Sequence, residues 1–412
     1  MAVITERFQE KVAILALGLI LALLSNFMAE ATSRRGLVEG DSGVFDVTSY
    51  GAKGDGKTDD ATAFVKAWVA ACKSGGSAKL SIPKGTYMAG PVVFQGPCKG
   101  YMTVEVQGTI KGTTDISQYS SPEWFSFEHI DGLIVNGGGT FDGQGAAVWK
   151  YNDCKDNSNC QLLPSSIKFM EVKNAIVHEI TSLNSKSFHT HVVNCDNFTA
   201  HDLTITAPGD SPNTDGMHIS RSNLVSISNS QIGTGDDCVS IGQGATQVSI
   251  QNIACGPGHG ISVGSLGKYK DEEDVSGISV TGCTLKGTTN GLRIKTWPGS
   301  PPSKASSIAF EDITMDSVKN PIIIDQNYGS NKKEPSQVKI SNVRYTNIKG
   351  TSISPMAVSI VCSSDAPCTG IEMTDIDLKF VGESSKSDSV SSSCSNAKIT
   401  FGGKQNPPAC DV

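Results

Sequence analysis

From about residue 100 the chain repeats one short pattern, apolar-x-apolar-x followed by Gly, Asn, Asp or Glu. It runs through Val104–Gly108, Leu133–Gly137, Val225–Asn229 and Val248–Asn252, then Ile278–Gly282, Ile308–Asp312, Val338–Asn342 and Ile371–Asp375. From Asn229 onward the fifth positions fall 23, 30, 30, 30 and 33 residues apart. Strict alternation buries one face of a strand, and a period in the twenties to thirties makes each repeat one turn of a solenoid. These strands predict an all-β chain, a right-handed parallel β-helix. A propeller or sandwich also alternates, but a propeller blade takes four strands over about 40 residues or more.

Before the repeat, Asp59 and Asp60 can cap a short helix whose apolar positions Phe64, Val65, Trp68, Val69 and Cys72 keep a helical period. Such a helix would plug the open end of the strand stack, which otherwise exposes sheet edges. The expected organisation is a targeting segment over 1–31, a short segment over 32–44, the capped β-helix over 45–380, and a Ser-rich tail over 381–412.

Composition adds a compartment. Arg7 and Lys11 precede the apolar run Val12–Leu24, and Ala29-Glu30-Ala31 offers a small-x-small cleavage site. The run is shorter than the roughly 20 residues of a membrane span. A signal anchor stays open if the run extends to Ala29, and nothing later is apolar enough to span. Twelve cysteines lie beyond it, none as CxxC, which points to disulfides rather than zinc. The expected pairs are Cys154–Cys160, Cys362–Cys368, Cys394–Cys410, Cys238–Cys255 and Cys72–Cys98, leaving Cys195 and Cys283 free and buried. Asn197-Phe198-Thr199 is a glycosylation sequon. A net charge of −7 without a basic patch argues against nucleic acid as a partner. A secreted, extracellular monomer with no membrane partner after signal cleavage is expected.

The polar chemistry concentrates in four segments: Asn213-Thr214-Asp215-Gly216, Gly235-Asp236-Asp237, Gly258-His259-Gly260 and Arg293-Ile294-Lys295. Each alone is ordinary, a turn, a loop histidine or a wet strand face. The steps from Asp215 to Asp236, His259 and Arg293 are 21, 23 and 34 residues, close to one coil each, so stacking would bring them together. Three crowded carboxyls cannot all ionise freely, and one should stay protonated. A neutral carboxyl beside ionised ones equips a site for glycoside hydrolysis. Arg293 and Lys295, two apart, share a strand face and could hold a sugar carboxylate.

In order and spacing the four segments resemble the signature of the polygalacturonase family of glycoside hydrolases, and Phe45–Asp60 resembles the start of its plant members. The resemblance implies cleavage of α-1,4-galacturonosyl linkages in pectin or polygalacturonate, with inversion and with neither metal nor cofactor. It implies that Asp236 is the general acid and that Asp215 and Asp237 activate water. It further implies that His259 tunes the acid, that Arg293, Lys295 and Tyr328 hold the sugar, and that Asn213 orients Asp215. The stretches Ser211–Ile219 and Ile232–Gly242 look closest to the pollen-type branch, often exo-acting, with endo action the alternative. A calcium-dependent pectate lyase and a non-catalytic pectin-binding solenoid are the competing readings.

Overall fold

The computed structural model describes residues 43–411 except 154–156, 158–159, 161, 330–333 and 384–388. The expected targeting segment and Cys154 therefore lie outside the described residues. Every strand pairing is parallel, and the pairings trace three ladders that climb together. One ladder stacks eleven strands, from Val92–Gln95 to Ser391–Ser395. The others run through Asp131–Asn136, Lys173–His178, Asp196–His201 and their successors, and through the short strands Thr140–Asp142, Thr181–Leu183 and Thr204–Thr206. Parallel strands returning to one sheet cross over with the right hand, and the result is a right-handed parallel β-helix.

The repeat has a stereochemical cause. From Gly132 to Asp375 each coil carries two left-handed residues five positions apart that bracket the apolar-x-apolar-x strand, such as Leu224 and Asn229, Gln247 and Asn252, or Gly277 and Gly282. Asn, Asp and Gly tolerate positive φ best, which is why they recur at the second of these bends. Between the bends, Phe198, Val225, Val248, Ile278 and Ile308 pair in one buried column.

Two repeats are out of phase with the sequence pattern. Ile308 pairs with Val343 and Ile313 with Ile348, so Asn347, not Asn342, occupies the bend of Asp312. Asn342 is itself left-handed and stands at the earlier bend, so on the continuous strand Val338–Ser352 the pentad fits in two phases. Likewise Val104 pairs with Val135 rather than Leu133.

The predicted helix, α1, spans Ala61–Lys73. Phe64, Trp68 and Cys72 face inward, while Val69 is 41% exposed. Trp68 stacks on Phe94 with centroids 4.6 Å apart and donates Nε1–H to Gln95 O at 3.0 Å. Asp59 accepts from the Ala61 N–H, but Asp60 turns back to accept from Lys53 and Gly54, so only the first aspartate caps.

Cys72–Cys98, Cys238–Cys255, Cys362–Cys368 and Cys394–Cys410 are bridged, and Cys195 and Cys283 are free and buried. The segment expected as a covering tail is instead the last coil: Ser391–Ser395 pairs with Met356–Val361, and Ala397–Asn406 with Cys368–Phe380. The boundary at 380 cuts through the solenoid, because serine alternation reads as tail although Ser392–Cys394 still ladders. No helix among the described residues is long and apolar enough to cross a membrane.

Candidate active site

The site forms on the outer face of the eleven-stranded ladder. Met217–Ser220, Val239–Ile241, Ile261–Leu266 and Asn290–Thr296 pair in register, so His218, Ser240, Ser262 and Arg293 stand side by side. Their neighbours Ile219, Ile241, Val263 and Ile294 point the other way into the core. The turns leading into the first three strands carry Asp215, then Asp236 and Asp237, then His259. These turns are tight. A Cβ on Gly235 would lie 2.0 Å from Ser211 O, and Gly258 holds φ +140 with its Cβ position 2.5 Å from Asp236 O. The His259 N–H donates to Asp236 O, and the Gly216 N–H to Asp237 O, tying successive turns together.

The acids differ sharply in environment. Asp237 is 1% exposed; one oxygen accepts from Arg293 Nη2 at 2.7 Å and from Ser262 Oγ at 2.7 Å, the other from Lys295 Nζ at 2.9 Å. Burial pushes its carboxyl up, but Lys295 and Arg293 outweigh that and hold it below the usual carboxylate range. Asp215 is also buried, at 6% exposure, but has no cation bonded to it among the described residues. Burial first, then the charges of Asp236 and Asp237, raise it well above that range, only partly opposed by Ser240 Oγ–H donating at 2.6 Å. Asp236 faces the groove at 20% exposure, with Oδ1 2.9 Å from His259 Nδ1 and accepting the Asp237 N–H at 2.8 Å. The group thus holds one carboxylate fixed by cations and lowered, one buried carboxyl raised well above the usual range, and one reachable carboxyl hydrogen-bonded to an imidazole.

Tyr328 joins the site, its ring centroid 5.0 Å from Lys295 Nζ and 5.8 Å from the Arg293 guanidinium, with Trp297 edge-on at 5.7 Å. Arg293 and Lys295 share a face as expected, but both are engaged by Asp237. Asn213 lies in the turn before Asp215, left-handed, accepting from Asn152 Nδ2 at 2.9 Å and Ser187 Oγ at 3.5 Å. These contacts fix the turn rather than the Asp215 carboxyl.

Asp236, Asp237 and His259 bring ligand-type atoms within 4.8 Å of one another. Both Asp237 oxygens already face cations and His259 Nδ1 faces Asp236, so the donors fit a metal poorly.

Sequence reasoning missed Ser240, Ser262 and His218. Each sits between two apolar residues on a site strand, in Val-Ser-Ile, Ile-Ser-Val and Met-His-Ile, and that alternation marks an outward position. His218 Nδ1 lies 2.8 Å from Ser240 Oγ, extending the contact from Asp215. Burial, then Lys295, push its imidazole down to about 4.

One coil toward the N-terminus on the same ladder lies a cavity of about 720 Å³. Tyr119–Glu123 and Tyr151 with Leu162–Pro164 wall it, and Phe188 and His191 separate it from His218.

A solenoid groove with three carboxyls in unequal electrostatic settings beside a cation pair is the equipment of a carbohydrate-cleaving acid/base enzyme. The chain belongs to Glycosyl hydrolases family 28, which it matches over residues 72–403. It is 51% identical to an exopolygalacturonase of Arabidopsis thaliana, over 92% of this chain and 90% of that protein. An exopolygalacturonase of Platanus acerifolia is 48% identical over 90% and 98% of the two chains. The endo-xylogalacturonan hydrolase of Aspergillus tubingensis superposes with a TM-score of 0.76 at 26% identity, covering 88% of this chain and all of that one.

Proposed function

We propose that the protein is an extracellular exopolygalacturonase that removes galacturonate from the end of pectic chains with inversion. One observation carries the reading: successive coils bring Asp215, Asp236 and Asp237 to one groove in unequal electrostatic settings. Asp236, the exposed member, delivers the proton to the glycosidic oxygen, and His259 holds it for the transfer. Asp215 and Asp237 position and deprotonate the attacking water. The proton needed for a turnover belongs to the coupled group rather than to one residue. Burial and the neighbouring carboxyls favour it on Asp215, and catalysis requires it on Asp236.

Arg293 and Lys295 carry two charges against the single charge of Asp237. The surplus, beneath the Tyr328 ring, suits a galacturonate carboxylate. The exopolygalacturonase relatives and the walled cavity support exo action. A calcium lyase is disfavoured because Asp237 is committed to two cations. The disulfides suit an oxidising compartment.

The test is reducing-sugar release from polygalacturonate. Asp236→Asn should lower the rate by about 10²–10⁴, whereas a rate within twofold of wild type removes Asp236 from the acid role. A time course on hexagalacturonate should show monomer from the first point, and a ladder of intermediates would mean endo action.

A further inference from the structure

The cavity beside the acid group contains a charged pair that the chemistry above does not use. Lys168 Nζ bonds to Glu123 Oε1, and the two side chains are only 15% and 13% exposed. Strand register places this pair deliberately. Lys168 pairs with His191, His191 with His218, and His218 with Ser240, so Lys168 lies on the same outer column as the catalytic groove, and Glu123, which pairs with Ser165 one coil further back, reaches it by its side chain. The link to the acids is short. Phe188 stacks on His218 at 4.9 Å, and the His189 N–H donates to Asp215 O at 2.8 Å. At about 4.8 Å per coil, Lys168 stands two coils and Glu123 three from the strand that follows Asp215, about 10 Å and more along the axis, a span that the long lysine side chain shortens toward the sugars beyond the bond to be cut. The volume of about 720 Å³ suits a small sugar rather than a long chain.

The charges in the cavity cancel, and His191 is kept uncharged by burial, then by His218, Lys168 and Arg221, which push it down to about 3. A cavity that is neutral overall but offers a carboxylate acceptor beside an ammonium donor does not select an anion. It selects adjacent hydroxyls, one donating to Glu123 and one accepting from Lys168. In a 1,4-linked galacturonan every sugar keeps a trans 2,3-diol, but only the non-reducing terminal one also presents a cis 3,4-diol, because every internal O4 carries the next residue, and the closely spaced Glu123 and Lys168 suit the cis pair. Tyr119 and Tyr151 supply flat faces for the ring.

We propose that Glu123 and Lys168 form the subsite that reads the free 3,4-diol of the non-reducing terminal galacturonate. The inference rests on the exo reading and names the group that enforces it.

The experiment compares two trigalacturonates, one with an intact non-reducing end and one with the 4,5-unsaturated end left by a lyase, which has no 4-hydroxyl. Glu123→Gln should lower kcat/KM on the intact trimer by roughly ten- to hundred-fold, mainly through KM, the loss expected for a hydrogen bond to a charged group. Wild type should already be slowed to that degree on the unsaturated trimer, and the substitution should slow it little further. Removing one partner strands a partly buried charge. The double variant Glu123→Gln/Lys168→Met removes both charges, and even if the single variant does not fold it should lose the wild-type discrimination between the two trimers. Equal losses on both trimers, wild-type indifference to the unsaturated end, or sensitivity to reduction of the opposite end instead would overturn the subsite. The exo reading fails separately, if wild type yields dimers from hexagalacturonate while the trimer kinetics keep their dependence on the end.

Discussion

Asp237 is where the two kinds of charge in the groove meet, and its neighbours make it a structural as well as a chemical residue. Arg293 and Lys295 are buried against it at 10% and 8% exposure. Asp237→Asn therefore leaves two buried cations undercompensated and should cost about 3–5 kcal/mol of stability, read from urea denaturation. Asp236→Asn, at the groove surface, should abolish most activity at near wild-type stability. Linkage gives the two buried acids opposite signs. The depressed Asp237 stabilises the fold above the usual carboxylate range, and that contribution is lost as pH falls through its lowered pKa. The raised Asp215 stabilises it below that range, and its contribution is lost as pH rises through the elevated value. Activity needs the group's extra proton, so the alkaline limb of the rate profile follows Asp215. Ser240 stabilises ionised Asp215 by donating to it. Ser240→Ala should therefore move that limb to higher pH, as measured in kcat against pH; an unmoved limb would separate Asp215 from the rate.

At the scale of elements, α1 is held by few large contacts. Trp68 is 1% exposed and stacked on Phe94, and Phe64 packs against Tyr87 at 5.6 Å. Trp68→Ala should cost about 3–5 kcal/mol in the urea midpoint with kcat unchanged, since the plug lies far along the ladder from the acids. The apolar period of this helix and the alternation of the strands were legible because burial imposes both directly on residue type. The phase of Val338–Asn342 was not, because bends five apart give one strand two equivalent readings. Coil spacing located Asp215, Asp236, Asp237 and His259 together, and strand parity placed Arg293 with Lys295. Their partners were hidden: Ser240 and Ser262 are common residues in common triplets, and only register shows them facing carboxylates. The engagement of both cations by Asp237 was equally invisible, since it depends on side-chain reach across coils.

Across the whole molecule, the three ladders do one thing for function. They convert distance along the chain into about 4.8 Å steps along a rigid axis, so residues 21 to 34 positions apart become adjacent without any flexible segment between them. The same stacking buries Asp215 and sets it beside two other carboxyls, and both effects strengthen its hold on a proton. Difference infrared spectroscopy of the carboxyl stretch across a pH titration reads this proton directly. The account predicts a neutral-carboxyl band that persists above the ordinary aspartate range of about 4 and disappears in Asp215→Asn. Titration of Asp215 within that range, or a band that survives Asp215→Asn, would contradict it.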